Sequence, residues 1–270
     1  MKFRPRVRTK NFSCEYLRPQ NKNLKKFPIR SLIRLGSLTP PNQIFDKGTS
    51  YVEINSIDAI NTSRDKLKMK EAFKTFEIPQ AEWWIPSQLT EEVLPTLPYP
   101  LIAKRINGFK GKGMKKLDTI DSLREFMNNT SLAGYYFEKF YNYAREYRIH
   151  ATQEEVILRW RKLRREDAEE RWYFNSDNCN WIGETNELFQ LSGDLLDRVD
   201  EAAKKAVIAT GLDIGAVDVR IQSNNMKVPS FIVLEVNSAP RMGETSNKIY
   251  AEKIENIIEQ KINGNRLHTA

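Results

Sequence analysis

Two short apolar segments near the carboxyl end do most to limit what this chain can fold into. GAVDVRI (residues 215–221) and FIVLEVN (residues 231–237) are too short for core helices and rich in β-branched residues. A polar turn at 223–229 separates them, so they predict a pair of antiparallel strands. Each carries an acid among apolar neighbours. Asp218 sits mid-strand, while Glu235 and Asn237 are two residues apart and therefore face the same way. Antiparallel pairing can bring Asp218 onto that face. Buried acids with no local Lys or Arg partner are costly. A hard divalent cation removes that cost, and Mg²⁺ favours a few carboxylates together with phosphate oxygens. The competing reading makes the two acids edge-facing surface groups.

The rest of the chain reads as mixed α and β. Residues 29–36 and 50–56 are short strands, and a helix is expected from about Thr62, with Met69, Ala72, Phe73 and Phe76 on one side and Thr62 or Ser63 as its cap. The Pro-rich stretch 85–100 is a connection. Residues 100–106 form a strand, Asp121 caps a short helix carrying Leu123, Phe126 and Met127, and 135–140 form another strand. Residues 146–152 and 156–162 alternate as strands joined by a tight turn at 153–155. Residues 197–210 are an amphipathic helix closed by Gly211, and Tyr250, Ile254, Ile257, Ile258 and Ile262 mark a last one. No repeat or low-complexity tract interrupts this order.

Two further features carry charge into apolar surroundings. NGFKGKG (residues 107–113) follows a strand; its glycines allow close backbone approach to phosphates, and Lys110 and Lys112 add charge. Its spacing is neither a P-loop nor a dinucleotide fingerprint, and such turns also serve as plain hairpin tips. Lys104 lies within an apolar strand and Lys66 at the start of a helix, where its charge opposes the helix dipole. Both positions make sense beside an anion; each alone also suits a snorkelling surface lysine.

Taken in order (helix Lys, strand Lys, Gly-rich loop, strand ending in Glu, E-Y-R, strand Asp, E-V-N-S-A-P) these features resemble the ATP-grasp superfamily over about residues 55–262. The segment from Asp200 to Ile254 is similar to a subgroup of small RimK-like ligases of viruses and bacteria. The resemblance implies an α+β ATP-grasp fold, with two α+β lobes clasping ATP behind a short N-terminal α/β segment. The divisions expected are 1–60, 61–137 and 138–270. It implies that Lys66 and Lys104 contact the α- and β-phosphates, and that the loop holding Asn107, Gly108, Gly111 and Gly113 is a lid, mobile until nucleotide binds. Glu138, with the backbone of Lys139 and Phe140, would bind adenine at a hinge. Asp218, Glu235 and Asn237 would hold one or two Mg²⁺ ions, Mn²⁺ being the alternative. Arg148 would stabilise the transferring phosphoryl group, and Arg220 and Arg241 would hold the carboxylate substrate. The activity implied is an ADP-forming carboxylate–amine ligation whose acceptor is an amino acid, a peptide or a protein. A kinase-like phosphotransferase with the same ATP site is the alternative enzyme.

Composition narrows the rest. Hydrophobic residues make up 40% of the 270, enough for a core, and no apolar run has the length of a membrane span. The basic start is followed by no apolar signal segment, so a cytoplasmic protein is expected. Cys14 and Cys179 stand far apart, as two reduced thiols would, and with only His150 and His268 the chain is ill suited to histidine-based catalysis. Net charge is +8, but residues 1–40 carry +10 of it and the remainder is slightly acidic. Phe12, Tyr16, Leu17, Leu24 and Phe27 lie in that basic segment, which is expected to pack partly on the body and to place cations near an anionic substrate. A nucleic-acid-binding arm is the non-enzymatic alternative.

Overall fold

The computed structural model describes residues 1–10, 12–18, 20, 22–108, 111–168, 172–174, 178–222 and 228–270. Lys110, the side chain of Phe12 and most of the 223–229 turn lie outside them. In chain order the elements are β1 (Arg6–Thr9), β2 (Arg30–Leu35), β3 (Ser50–Ile54), α1 (Ile57–Arg64), α2 (Lys66–Thr75), β4 (Trp83–Trp84), β5 (Leu101–Arg105), β6 (Lys115–Leu117) and α3 (Ile120–Asn129). They continue with β7 (Tyr135–Lys139), β8 (Arg145–Thr152), β9 (Val156–Arg164), β10 (Cys179–Gly183), α4 (Gly193–Thr210), β11 (Ile214–Ile221), β12 (Phe231–Asn237), α5 (Glu244–Asn263) and β13 (His268–Thr269).

These strands make three sheets. The amino-terminal one has the order β1-β2-β3-β13, parallel except for β13. The second, β4-β7-β5-β6, is antiparallel and packs on α3 around Leu101, Phe137 and Leu123. The third, β10-β9-β8-β11-β12, is also antiparallel. Helix α4 lays Leu195, Val199, Ala202, Ala203, Ala206 and Val207 onto one face of it, in the largest apolar cluster. Gly211, at φ +74°, ends that helix in the left-handed conformation glycine takes without strain.

The helical segment expected from Thr62 is two helices. Ser56 caps α1 by accepting from the amide of Ala59 at 3.1 Å. Asp65 interrupts at ψ 106° and caps α2, accepting from Leu67 and Lys68 at 3.0 and 3.1 Å. An Asp that satisfies two orphan amides competes well against helix continuation; its replacement by Ala costs about 1 kcal/mol. Likewise Thr119, not Asp121, caps α3, in a reciprocal box with Ser122.

The basic amino-terminal segment is built into the fold. Strand β1 pairs with β2, and Val7, Cys14, Leu17, Leu24 and Phe27 are buried against Tyr250, Ile254 and Ile258 of α5. Buried Asn55 binds this sheet to the third one: its side chain donates to the carbonyls of Arg34 and Ile214, and its Oδ1 accepts from the amide of Asp213. Among the described residues no helix is long and apolar enough to cross a membrane.

Candidate functional site

A cleft of about 470 Å³ opens where the three sheets meet. Its floor is the face of the third sheet opposite α4. There β8, β11 and β12 present residues two apart, so the strand period sorts charged side chains onto one side and apolar ones onto the helix. Register places Glu146 opposite both Lys162 and Arg220, and Arg148 opposite Asp218, which in turn faces Glu235. Asn237 lies one step further along β12 on the same face.

The result is a lattice of alternating charges. Arg148 donates to both oxygens of Asp218, from Nε at 2.7 Å and Nη2 at 2.8 Å. Lys162 donates to Asp218 Oδ2 at 2.9 Å and to Glu146 Oε1 at 2.6 Å, and Arg220 Nε reaches Glu146 Oε2 at 2.8 Å. Burial opposes the Asp218 carboxylate, but Arg148 and Lys162 outweigh it and hold its pKa well below the usual range. Burial also works against the Lys162 ammonium, and the same two acids reverse it, leaving that pKa raised. Asp218, expected to have no local basic partner, thus has two distant ones. Its partners come from β8 and β9, far away in the chain and invisible to local pattern.

The cleft's wall is built by α2 and the second sheet. The Lys66 amide donates to the carbonyl of Ile106 at 3.1 Å, which fixes the start of α2 beside the glycine-rich loop. Lys66 Nζ then lies 3.0 Å from Glu235 Oε2. The Lys66 ammonium is what lowers the Glu235 pKa, against the opposing effect of burial. One helical turn on, Lys70 reaches Glu138 at 3.2 Å, and Lys104 from β5 holds the other oxygen of the same carboxylate. Burial disfavours a charged Glu138, yet the two ammoniums pull its pKa down to about 2. Lys70, fully buried, has its pKa lowered by desolvation.

Glu138 is a buried tie between α2 and β5, its carboxylate engaged by Lys70 and Lys104. The amides of Lys139 and Phe140 are also engaged, with the carbonyls of Glu82 and Pro100 at 2.9 Å each. Glu138, Lys139 and Gly113 do not line the main cleft, whereas Lys66, Lys104, Asn107, Gly108, Gly111, Arg148, Asp218, Arg220, Glu235, Asn237 and Arg241 do. Phe140 instead lines a neighbouring cavity of about 290 Å³ with Tyr141, Tyr143 and Trp172, which shares Lys162, Phe174 and Arg220 with the cleft. Gly113 sits at φ +74°, where an added Cβ would meet Arg105 Nε at 2.8 Å. The sequence reading missed Lys70 and Lys162. Lys70 follows Lys66 by four residues, the spacing of one helix face, and Lys162 continues the alternation of β9; both signals were present.

Among the described residues no three His, Cys, Asp or Glu side chains cluster as a metal site. The two acids with Asn237 nevertheless form a hard oxygen set. Among the described residues Asp218 Oδ1 accepts only from Arg148 Nε, Glu235 Oε2 from Lys66 and Oε1 from Asn237 Nδ2 at 3.1 Å. Each of those oxygens keeps a lone pair, and turning the Asn237 amide over presents its oxygen. The set fits Mg²⁺.

Two antiparallel sheets closing on a charged cleft, with helices behind them, make this an ATP-grasp fold. Solved structures agree. The D-alanine–D-alanine ligase of Bacillus anthracis, solved with ATP, matches 97% of this chain and 97% of its own with a TM-score of 0.65 at 14% identity. The N5-carboxyaminoimidazole synthase of Aspergillus clavatus, solved with ADP, matches 80% of this chain at 18% identity and TM-score 0.55. The chain spans about half the length of that protein, 54%. An ATP-grasp ligase solved with a minimal precursor matches 76% of this chain and 63% of its own, at 16% identity and TM-score 0.54. No protein-family model and no curated protein matches the sequence.

Proposed function

We propose that the chain is a Mg²⁺- and ATP-dependent carboxylate–amine ligase of RimK-like type. The observation that carries this reading is the juxtaposition of Asp218, Glu235 and Asn237 on one sheet face with Lys66 across the cleft from them. Few carboxylates, an amide oxygen and a mobile ammonium are what a triphosphate with its metal requires.

In this reading Lys66 leaves Glu235 for a phosphate oxygen when nucleotide enters, and Lys104 turns likewise from Glu138, which Lys70 continues to neutralise. Bound Mg²⁺ would neutralise charge on the β- and γ-phosphates from Asp218, Glu235 and Asn237. The adenine would lie in the aromatic cavity beside Phe140 and Trp172, and the 107–113 loop would cover the phosphates. Arg148 would lie by the γ-phosphate, where its charge would stabilise the transferring group. A carboxylate oxygen of the acid attacks the γ-phosphorus and the bond to ADP breaks. The amine nitrogen then attacks the acyl carbon, the C–O bond to phosphate breaks, and the amine proton leaves with phosphate or solvent. Arg220 and Arg241 would hold the acid. No protein nucleophile is needed, because positioning and charge neutralisation supply the rate.

The test is Glu235→Gln in a screen of acid and amine pairs. ADP and phosphate should form in step with amine consumption in the wild type. The variant should stay folded and lose about 10²-fold or more of Mg²⁺-dependent turnover, since the metal supplies several kcal/mol. Turnover within about twofold of wild type would sink the metal assignment, and ADP formed without amine loss would point to the phosphotransferase.

A further inference from the structure

The charges of the cleft do not balance. Every acid on the lining is met by a cation: Glu235 by Lys66, Asp218 by Arg148 and Lys162, Glu146 by Lys162 and Arg220. On the amino-terminal side of that lining Lys10, Arg64 and Arg241, all exposed, have no acid partner among the described residues.

Their placement is built by the amino-terminal sheet. Lys10 follows the carboxyl end of β1, and its amide donates to the carbonyl of Leu35 at 3.3 Å, next to Gly36 at the end of β2. A Cβ on Gly36 would lie 2.7 Å from that of Ala239, so this turn touches the loop that carries Arg241. Arg64 ends α1, the helix that follows β3, and precedes the Asp65–Lys66 start of α2. Ligands of open parallel sheets gather outside the carboxyl ends of the strands. Here that edge opens into the cleft beside Lys10 and Arg64.

We infer that this lip binds an acid carrying two or more carboxylates, one delivered to the phosphates and the others held by Lys10, Arg64 and Arg241. The inference rests on the ligase reading for the fate of the reactive carboxylate. The lip's preference for polycarboxylates follows from the unpaired charges themselves. Arginine suits this task because its planar fork meets a carboxylate with two donors, while lysine acts as a point charge. A single-charge acid would leave at least two of the three cations without a counterion. The chemistry is shared by small polycarboxylates and by acidic peptide segments.

The experiment titrates wild type, Lys10→Glu and Arg64→Gln with acetate, glutarate, citrate, a tetraglutamate peptide and a single-stranded oligonucleotide, each with and without Mg·AMP-PNP. Affinity should rise at least tenfold from acetate to citrate or to tetraglutamate, and fall with added salt. The arm that binds tighter identifies the source as small molecule or peptide. Each variant should lose about tenfold for the polycarboxylates and keep its AMP-PNP affinity within twofold, with unchanged circular dichroism. A misfolded variant is replaced by Lys10→Gln or Arg64→Lys. Equal binding of acetate and the polycarboxylates, or variants indistinguishable from wild type, overturns the inference. So does an oligonucleotide that binds more tightly than every acid and is lost in Lys10→Glu. If AMP-PNP fails to bind while the polycarboxylate preference holds, the ligase reading falls and the lip stands.

Discussion

Acidification should destabilise this protein through a single buried ring before its carboxylates titrate. His150 lies on β8, 1% exposed, with Nδ1 2.8 Å from the hydroxyl of Tyr250, which also reaches the carbonyl of Gly215 at 3.3 Å. Burial, helped by the charge of Arg148 and only partly opposed by Asp218, pushes its pKa down from 6.5 to about 3. The native state thus refuses a proton that the unfolded chain accepts. Stability is full above the unfolded pKa of 6.5 and falls as pH drops from there toward 3, by about 1.4 kcal/mol per unit. At pH 5.0 the loss is about 2 kcal/mol relative to pH 7.5. The depressed carboxylates Glu138, Asp218 and Glu235 act in the same direction, but their unfolded values lie near 4 to 4.5, so at pH 5.0 each adds at most about 0.2 kcal/mol. Urea unfolding at pH 7.5, 6.0 and 5.0 measures the slope, and with a denaturant dependence of about 3 kcal/mol/M the midpoint should move by roughly 0.7 M. His150→Gln keeps a hydrogen-bonding group near Tyr250 and does not titrate. It should lose less than half as much between pH 7.5 and 5.0. The same pH slope in variant and wild type would refute the assignment.

Two other perturbations test the packing behind the cleft. Glu138→Gln leaves Lys70 and Lys104 without their anion and should cost about 3–5 kcal/mol in chemical denaturation, while adding Lys70→Met should recover about 1 kcal/mol or more. Equal loss in the single and double variants would mean that Lys70 is not held by Glu138. Gly36→Ala forces φ +71° on a residue with a Cβ and drives it to 2.7 Å from Ala239, so it should cost about 1–3 kcal/mol, a fall of roughly 3–8 °C in Tm. Ala239→Gly should relieve part of that loss, and no relief would place the strain elsewhere.

What the sequence revealed was governed by range along the chain. Strands β2, β11 and β12 announced themselves because alternation and β-branching are local. The facing of Asp218 and Glu235 followed because one short turn joins their strands. Strand β1 escaped notice: RVRT looks like solvated basic sequence until β2 is known to pair with it. The cap at Asp65 was hidden inside a run of good helix formers and shows only through its side-chain bonds. The lysine pair on Glu138 joins residues 68 and 34 positions apart, and Arg148 meets Asp218 across 70. Such contacts exist only after the sheets assemble. The acids and several of their basic partners could therefore be found in the sequence, while which cation meets which acid could not.

The lattice of Glu146, Arg148, Lys162, Asp218 and Arg220 also shapes how this sequence can drift. Replacing either acid by a neutral residue strands buried cations, at a cost of about 3–5 kcal/mol, a large share of what keeps a domain folded. Exchanging an acid and its partner together for apolar residues of similar volume is far milder. Single steps away from the present pattern cross a valley that double steps avoid. Positions on β8, β9 and β11 are thus bound to change in concert, and descendants of this chain should keep the whole lattice or lose it as a block.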